Sequence, residues 1–64
     1  MKVKEFVVKQ GWAIGYAEVR RAIASKSVLV NGLPAISAEI RLKPGDKVQF
    51  GKHKFATVEE TQND

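Results

Sequence analysis

The chain has 64 residues, no cysteine, and eleven Lys and Arg against seven Asp and Glu, for a formal net charge of +4. That length allows one small domain, which buries only about 60% of the surface its unfolded chain exposes and has little room for an enclosed substrate pocket, so an independent enzyme is not expected. A disulfide framework, a zinc ribbon and a thiol nucleophile are excluded together, the apolar runs fall far short of the ~18–20 residues of a membrane span, and Lys2, Lys4 and Glu5 lead into no secretory signal, which makes the cytoplasm the expected location.

Val3, Phe6 and Val7 stand at i, i+3 and i+4, the stripe of an amphipathic helix, and Gly11 supplies its stop. Glu5 and Lys9 support it four residues apart in the favourable order. Beyond Trp12, the trio Val19, Ala22 and Ile23 repeats the spacing and predicts a second short helix over residues 16–25. Neither helix is long enough to be stable alone. Ile23 is expected in the core, where truncation to Ala would cost roughly 2 to 5 kcal/mol.

From Ser27 the period changes to 2. Val28 and Val30 point one way, Leu29 the other, and Asn31-Gly32 predicts a type I′ hairpin because both of its central residues need φ > 0. Residues 33–36 should return as an edge strand that tolerates Pro34. Ile40 and Leu42 alternate around Arg41, and Pro44-Gly45 fits a type II turn. Residues 47–50 and 54–58 read as the last strands. The expected fold is α+β: two short N-terminal helices, then a small, mostly antiparallel sheet of 3–5 short strands. Residues 1–58 make the domain, and the polar acidic tail 59–64 is expected to fray.

Charge is unevenly placed along this plan. Residues 1–58 hold eleven bases against four acids, a balance of +7. Between Arg20 and Lys54 there are eight bases and two acids, a patch that attracts polyanions and above all nucleic acid. On the second helix the 100° rotation per residue turns Arg20 and Arg21 away from the Val19 face, with only the methyls of Ala17 and Ala24 around them. A guanidinium fork can hold a phosphate through two hydrogen bonds. Tyr16 borders that face and has two readings of equal weight, a ring stacked on a splayed base or a ring lying over the edge of the core. Trp12 is expected to be buried rather than to stack on bases. His53 has no second His or Cys to share a metal and no oriented partner for acid–base work, so no metal, cofactor or catalytic residue is assigned. Lys52 and Lys54 extend the basic strip, although lysines near strand edges also guard against sheet-to-sheet aggregation.

The stretch Glu18-Val19-Arg20-Arg21-Ala22-Ile23-Ala24-Ser25-Lys26-Ser27-Val28-Leu29-Val30-Asn31-Gly32, followed by Pro44-Gly45-Asp46, resembles the S-four domain, an RNA-binding family named after protein four of the small ribosomal subunit. The family pattern reads Ser-Arg-x-x-Ala-Arg-Arg/Lys-x-Ile, then Val-x-Val-Asn-Gly, then Pro-Gly-Asp, and the likeness covers residues 3–58. This chain departs from it at Gly15 for Ser, Tyr16 for Arg and Val19 for Ala. The end Gly51-Lys52-His53-Lys54-Phe55 is most similar to the C-terminal domain of bacterial tyrosyl-tRNA synthetases. The resemblance implies a module that grips tRNA while a separate catalytic domain preceding it does the chemistry, so that the chain is a fragment of a ligase; a free-standing member binding ribosomal RNA would look much the same. It also implies phosphate contacts from Arg20, Arg21 and Lys26. Asn31 is required by the turn and is open to a second role as an RNA contact.

Two other classes compete. Ubiquitin-like sulfur carriers share the size, a Val-Asn-Gly and a Gly-Asp turn, but they act through a C-terminal Gly-Gly where this chain has Thr61-Gln62-Asn63-Asp64, and they open with a hairpin where this chain has a helical stripe. An S-four-like domain serving only as a protein contact would keep its partner at high salt and without Arg20 and Arg21.

Overall fold

The first stripe closes on the inside of the molecule. The computed structural model describes residues 1–59, so all but the first residue of the acidic tail lies outside the described residues. Helix α1 (Val3–Lys9) buries Val3, Phe6 and Val7. It ends in a Schellman turn: Gly11, at φ +81°, donates its N–H to the Val8 carbonyl, and Trp12 donates to Val7. That turn delivers Trp12 to the core, edge-on to Phe6 and stacked on Phe50, with centroids 6.1 Å apart in both pairs. The ring is committed to packing, as the sequence suggests for an aromatic in a helix connection.

Helix α2 (Tyr16–Ala24) starts from the extended Gly15, and the Glu18 carboxylate reaches back to accept the Ile14 N–H at 3.0 Å. Its buried residue is Val19, whereas Ala22 and Ile23 are only half-buried against the core. The expectation for Ile23 is therefore corrected: the helix rolls so that Val19 points straight inward and Ile23 lies at the margin.

Strands β1 (Val28–Val30), β2 (Leu33–Pro34), β3 (Lys47–Phe50) and β4 (Lys54–Thr57) form one antiparallel sheet in the order β2-β1-β3-β4. This is the expected α+β layout. Asn31 and Gly32 have φ of 54° and 84°, which makes the β1–β2 connection the predicted two-residue turn. Strand β2 sits on the edge, where Pro34 leaves no inner ladder bond unmade. It stops there instead of running to residue 36: the Ala35 N–H makes one more bond, to Val28 at 2.8 Å, and Ile36 then swings out to 88% exposure. Ile40 and Leu42 flank a single bridge between Arg41 and Lys2, outside the sheet. Val3 donates to the Ile40 carbonyl at 2.9 Å and Leu42 to the Met1 carbonyl at 2.8 Å, so the start of the chain straps this loop down and buries Leu42.

Directly paired residues share a face of the sheet. The rows Val28–Phe50–Lys54 and Val30–Val48–Ala56 look toward the helices, while the row Pro34–Leu29–Gln49–Phe55 looks away. Among the described residues the large side chains buried completely are five valines, Val3, Val7, Val19, Val28 and Val48, drawn from both helices and the two central strands. Among the described residues no helix is long and apolar enough to cross a membrane.

Because Val19 is fully enclosed, Val19→Ala removes two methyl groups at ~0.8 kcal/mol each and leaves a cavity, for a loss of about 2 kcal/mol. Ile23→Ala, at the margin, should cost less despite deleting more atoms. Urea denaturation of the two variants checks the order; a greater loss in Ile23→Ala would refute the packing described.

Candidate nucleic-acid interface

Helix α2 ends at Ser25 in the same motif as α1, but with a lysine in the glycine position. Lys26 has φ 62°, its N–H bonds the Ile23 carbonyl at 2.9 Å, and the following Ser27 N–H bonds Ala22 at 2.8 Å. A left-handed residue with a Cβ costs roughly 1–2 kcal/mol relative to an unstrained one, and the turn is held by these two bonds together with the Ser25 and Ser27 hydroxyl pair at 2.9 Å. The chain turns sharply here and projects Lys26 into solvent.

The β3–β4 turn meets this corner. Gly51, at φ 70°, donates its N–H to the Ser27 carbonyl at 2.8 Å, and Lys54 lies across from Phe50, which pairs with Val28. Lys26, Lys52 and Lys54 are thus gathered at one end of the sheet, all exposed. Arg20 and Arg21 are exposed on α2, which runs into the same corner. They diverge by about 100° as successive helical residues must. Arg20 borders a shallow hollow with Ile23, Ala24 and Ile36.

Two of the expected contacts sit elsewhere. Asn31 occupies the opposite end of β1, about 10 Å away at ~3.3 Å per residue of strand. Its amide is occupied: Oδ1 accepts the Lys47 N–H at 3.0 Å, Nδ2 donates to Asp46 at 3.1 Å, and its own N–H bonds the Lys47 carbonyl at 2.7 Å. Of the two readings of Asn31, the geometry favours the turn. Tyr16 lies at the far, N-terminal end of α2, 44% exposed, with the Lys4 ammonium 5.0 Å from its ring centroid. One face of that ring is already covered by a cation.

The acids explain why the corner is so positive. Glu5 accepts the Lys2 N–H at 2.8 Å and Glu18 the Ile14 N–H, both capping helix starts. Glu39 bridges Lys4 at 2.7 Å and Lys2 at 2.9 Å. Asp46 accepts the Lys43 N–H at 2.8 Å and the Asn31 amide. Among the described residues, no carboxylate lies within 4.0 Å of Arg20, Arg21, Lys26, Lys52 or Lys54.

Sequence reasoning counts Lys47 only as one base of the patch and gives Phe55 no contact role. Phe55 is 57% exposed on the sheet face away from the helices, and Lys47 lies on that same face, in register with Thr57. The strict alternation of Lys54, Phe55 and Ala56, with small Ala56 turned inward, is the signal that places Phe55 outward. No family model, curated protein or solved structure matches the chain.

The acid contacts carry a pH signature. Hydrogen bonds from Lys4 and then Lys2 hold the Glu39 carboxyl at about 2, against an ordinary 4.5. The Lys43 N–H, followed by the Asn31 amide, holds Asp46 below its ordinary value. With folded-state values depressed, the unfolded chain binds more protons in that window, so both contributions are complete above the ordinary carboxylate values and drain away as the pH falls, for Glu39 down through about 2. Thermal unfolding followed by circular dichroism should show a midpoint that is level near neutrality and declines toward acid. Glu39→Gln should flatten part of that decline, and an unchanged slope in the variant would remove the ion pair from the account.

Proposed function

We propose that this domain binds structured RNA, with Arg20, Arg21, Lys26, Lys52 and Lys54 holding phosphates and no chemistry performed by the domain itself. The observation that carries this reading is the corner of exposed cations where α2, the Lys26 turn and the β3–β4 turn converge, with every acid of residues 1–58 engaged elsewhere. Phosphate contacts supply affinity and register rather than sequence choice. Discrimination comes from the shape of a folded RNA, whose deep, narrow major groove excludes side chains. Nothing enclosed is available for a small substrate on this side, since the hollow beside Arg20 is shallow and open.

The resemblance to the S-four domain supports RNA over other polyanions. Within that class, Gly51-Lys52-His53-Lys54-Phe55 favours the C-terminal module of a tyrosyl-tRNA synthetase, in which the basic corner would lie against the long variable arm of the tRNA. In that reading catalysis and cofactor binding belong to a separate domain, and the protein acts in the cytoplasm during translation.

With about five phosphates contacted, log K for a folded RNA should fall against log[salt] with a slope near −3.5 to −4.5. Arg20→Ala and Arg21→Ala should each weaken binding without moving the unfolding midpoint, and each should reduce the slope by about one. Lys26→Gly makes the sharpest separation of folding from binding. Glycine suits the left-handed turn, so stability should hold or rise by about 1 kcal/mol, while affinity drops. A flat salt response, or full affinity in the Arg20→Ala/Arg21→Ala double variant, would rule out this interface. Comparing a tRNA that carries a long variable arm with the same tRNA lacking it tests the finer assignment, which equal affinities would refute.

A further inference from the structure

The row Pro34–Leu29–Gln49–Phe55 crosses all four strands on the side of the sheet that the helices leave open, and neither Leu29 nor Phe55 belongs to the core cluster. From this row, resting on the RNA reading above, we infer that the open sheet face is a second contact surface, on which Phe55 stacks an unpaired base of the RNA held by the basic corner.

Phe55 is 57% exposed on β4, and it shares its row with Leu29 and Pro34, so the open face carries joined apolar surface rather than one isolated ring. Its cross-strand neighbour Gln49 is fixed in place: Nε2 donates to the Gly51 carbonyl at 2.8 Å, and Oε1 accepts no hydrogen bond among the described residues. An aromatic plane beside a held amide oxygen offers a base both a π-surface and an acceptor for an exocyclic amino group.

The charge around the ring selects the occupant. Lys47 is on the same face and diagonal to Phe55, since it pairs with Thr57, two residues further along β4. Lys52 and Lys54 stand at the near end of the same strand pair. Of the acids among the described residues, Asp46 is tied to Lys43 and Asn31, and Glu59 lines a hollow with Phe6 and Lys9 on the helix side of the sheet. An exposed aromatic with one cation diagonal to it on the same face and two more at the adjoining turn suits a single-stranded nucleotide, which brings a base to stack and phosphates to neutralise. The two surfaces adjoin at the β3–β4 turn, so an RNA whose helix sits on the corner could lay its unpaired flank across the strands.

The test uses an RNA hairpin bearing a single-stranded adenosine tail and the same hairpin with a blunt end, titrated against the full chain by fluorescence anisotropy. Phe55→Ala should weaken the tailed hairpin by about 5- to 150-fold, the range for losing one stacked base, and leave the blunt hairpin unchanged. Phe55→Trp should restore tail binding, and its indole emission should be quenched by the tailed RNA but not the blunt one, above the constant background of Trp12. Equal loss on both hairpins, or no loss on either while wild type still binds them with the expected salt slope, overturns the stacking surface and leaves the RNA reading standing. Failure of the wild-type chain to bind either hairpin at low salt overturns both.

Discussion

One hydrogen bond joins the two turns on which the sheet depends. The Asn31 amide at the tip of the β1–β2 hairpin donates to Asp46, which closes the type II turn before β3. Asn31 sits in a left-handed conformation, so its backbone carbonyl cannot continue the ladder; its side-chain Oδ1 does so instead, accepting the Lys47 N–H while its own N–H bonds the Lys47 carbonyl. The β1–β3 pairing is thereby extended one residue beyond Val30. Asp46 in turn accepts the Val58 N–H on its backbone carbonyl, and Gly45 donates to Val58, which fastens the end of β4 to the same point. Three chain segments meet at one side-chain pair. A residue that tolerated the turn but lacked the amide would lose the pin.

This pin also organises the charge. Asp46 is spent on holding the turns and Glu39 on tying its loop to Lys2 and Lys4 at the start of α1, so the acids that a +7 domain most needs for local neutrality are kept at the far end of the sheet or at its helical side. Exposed ion pairs contribute little stability each. What they do here is positional: by engaging the acids they leave Arg20, Arg21, Lys26, Lys52 and Lys54 without an ion pair among the described residues. The field at that corner is a by-product of how the fold is fastened elsewhere.

Much of this was readable from residues alone, for identifiable reasons. The α1 stripe, the Asn31-Gly32 hairpin and the Pro44-Gly45 turn are dictated by local chemistry, and the structure reproduces each of them. The exposure of the cations on α2 follows from helical rotation. What could not be read locally depends on tertiary placement. Which of Val19 and Ile23 is central is decided by how α2 rolls on α1 and β1, and both lie within one helical face. The early end of β2 arises because its backbone has no further partner on the edge. Asn31 was ambiguous because its turn role is local, whereas the partners that use up its amide are fifteen and sixteen residues away.

The division of labour between the two ends of β1 has a consequence for how such a small domain can specialise. At one end, the Asn31 and Asp46 side chains bond each other and the Lys47 and Lys43 N–H groups, so a change to either side chain is felt by the fold. At the other, Lys26 is held in place by main-chain bonds of the Schellman turn that any residue able to adopt positive φ would make, and Lys52 and Lys54 stand on a turn fastened through the Gly51 N–H. The cationic side chains contribute no bond to that framework among the described residues. Their identity is therefore free to vary without cost to that framework, while the five buried valines and the pinned turns keep the corner's shape. A domain of this size has no further layer of structure to spare, and this corner is the place where its own fold makes the fewest side-chain demands.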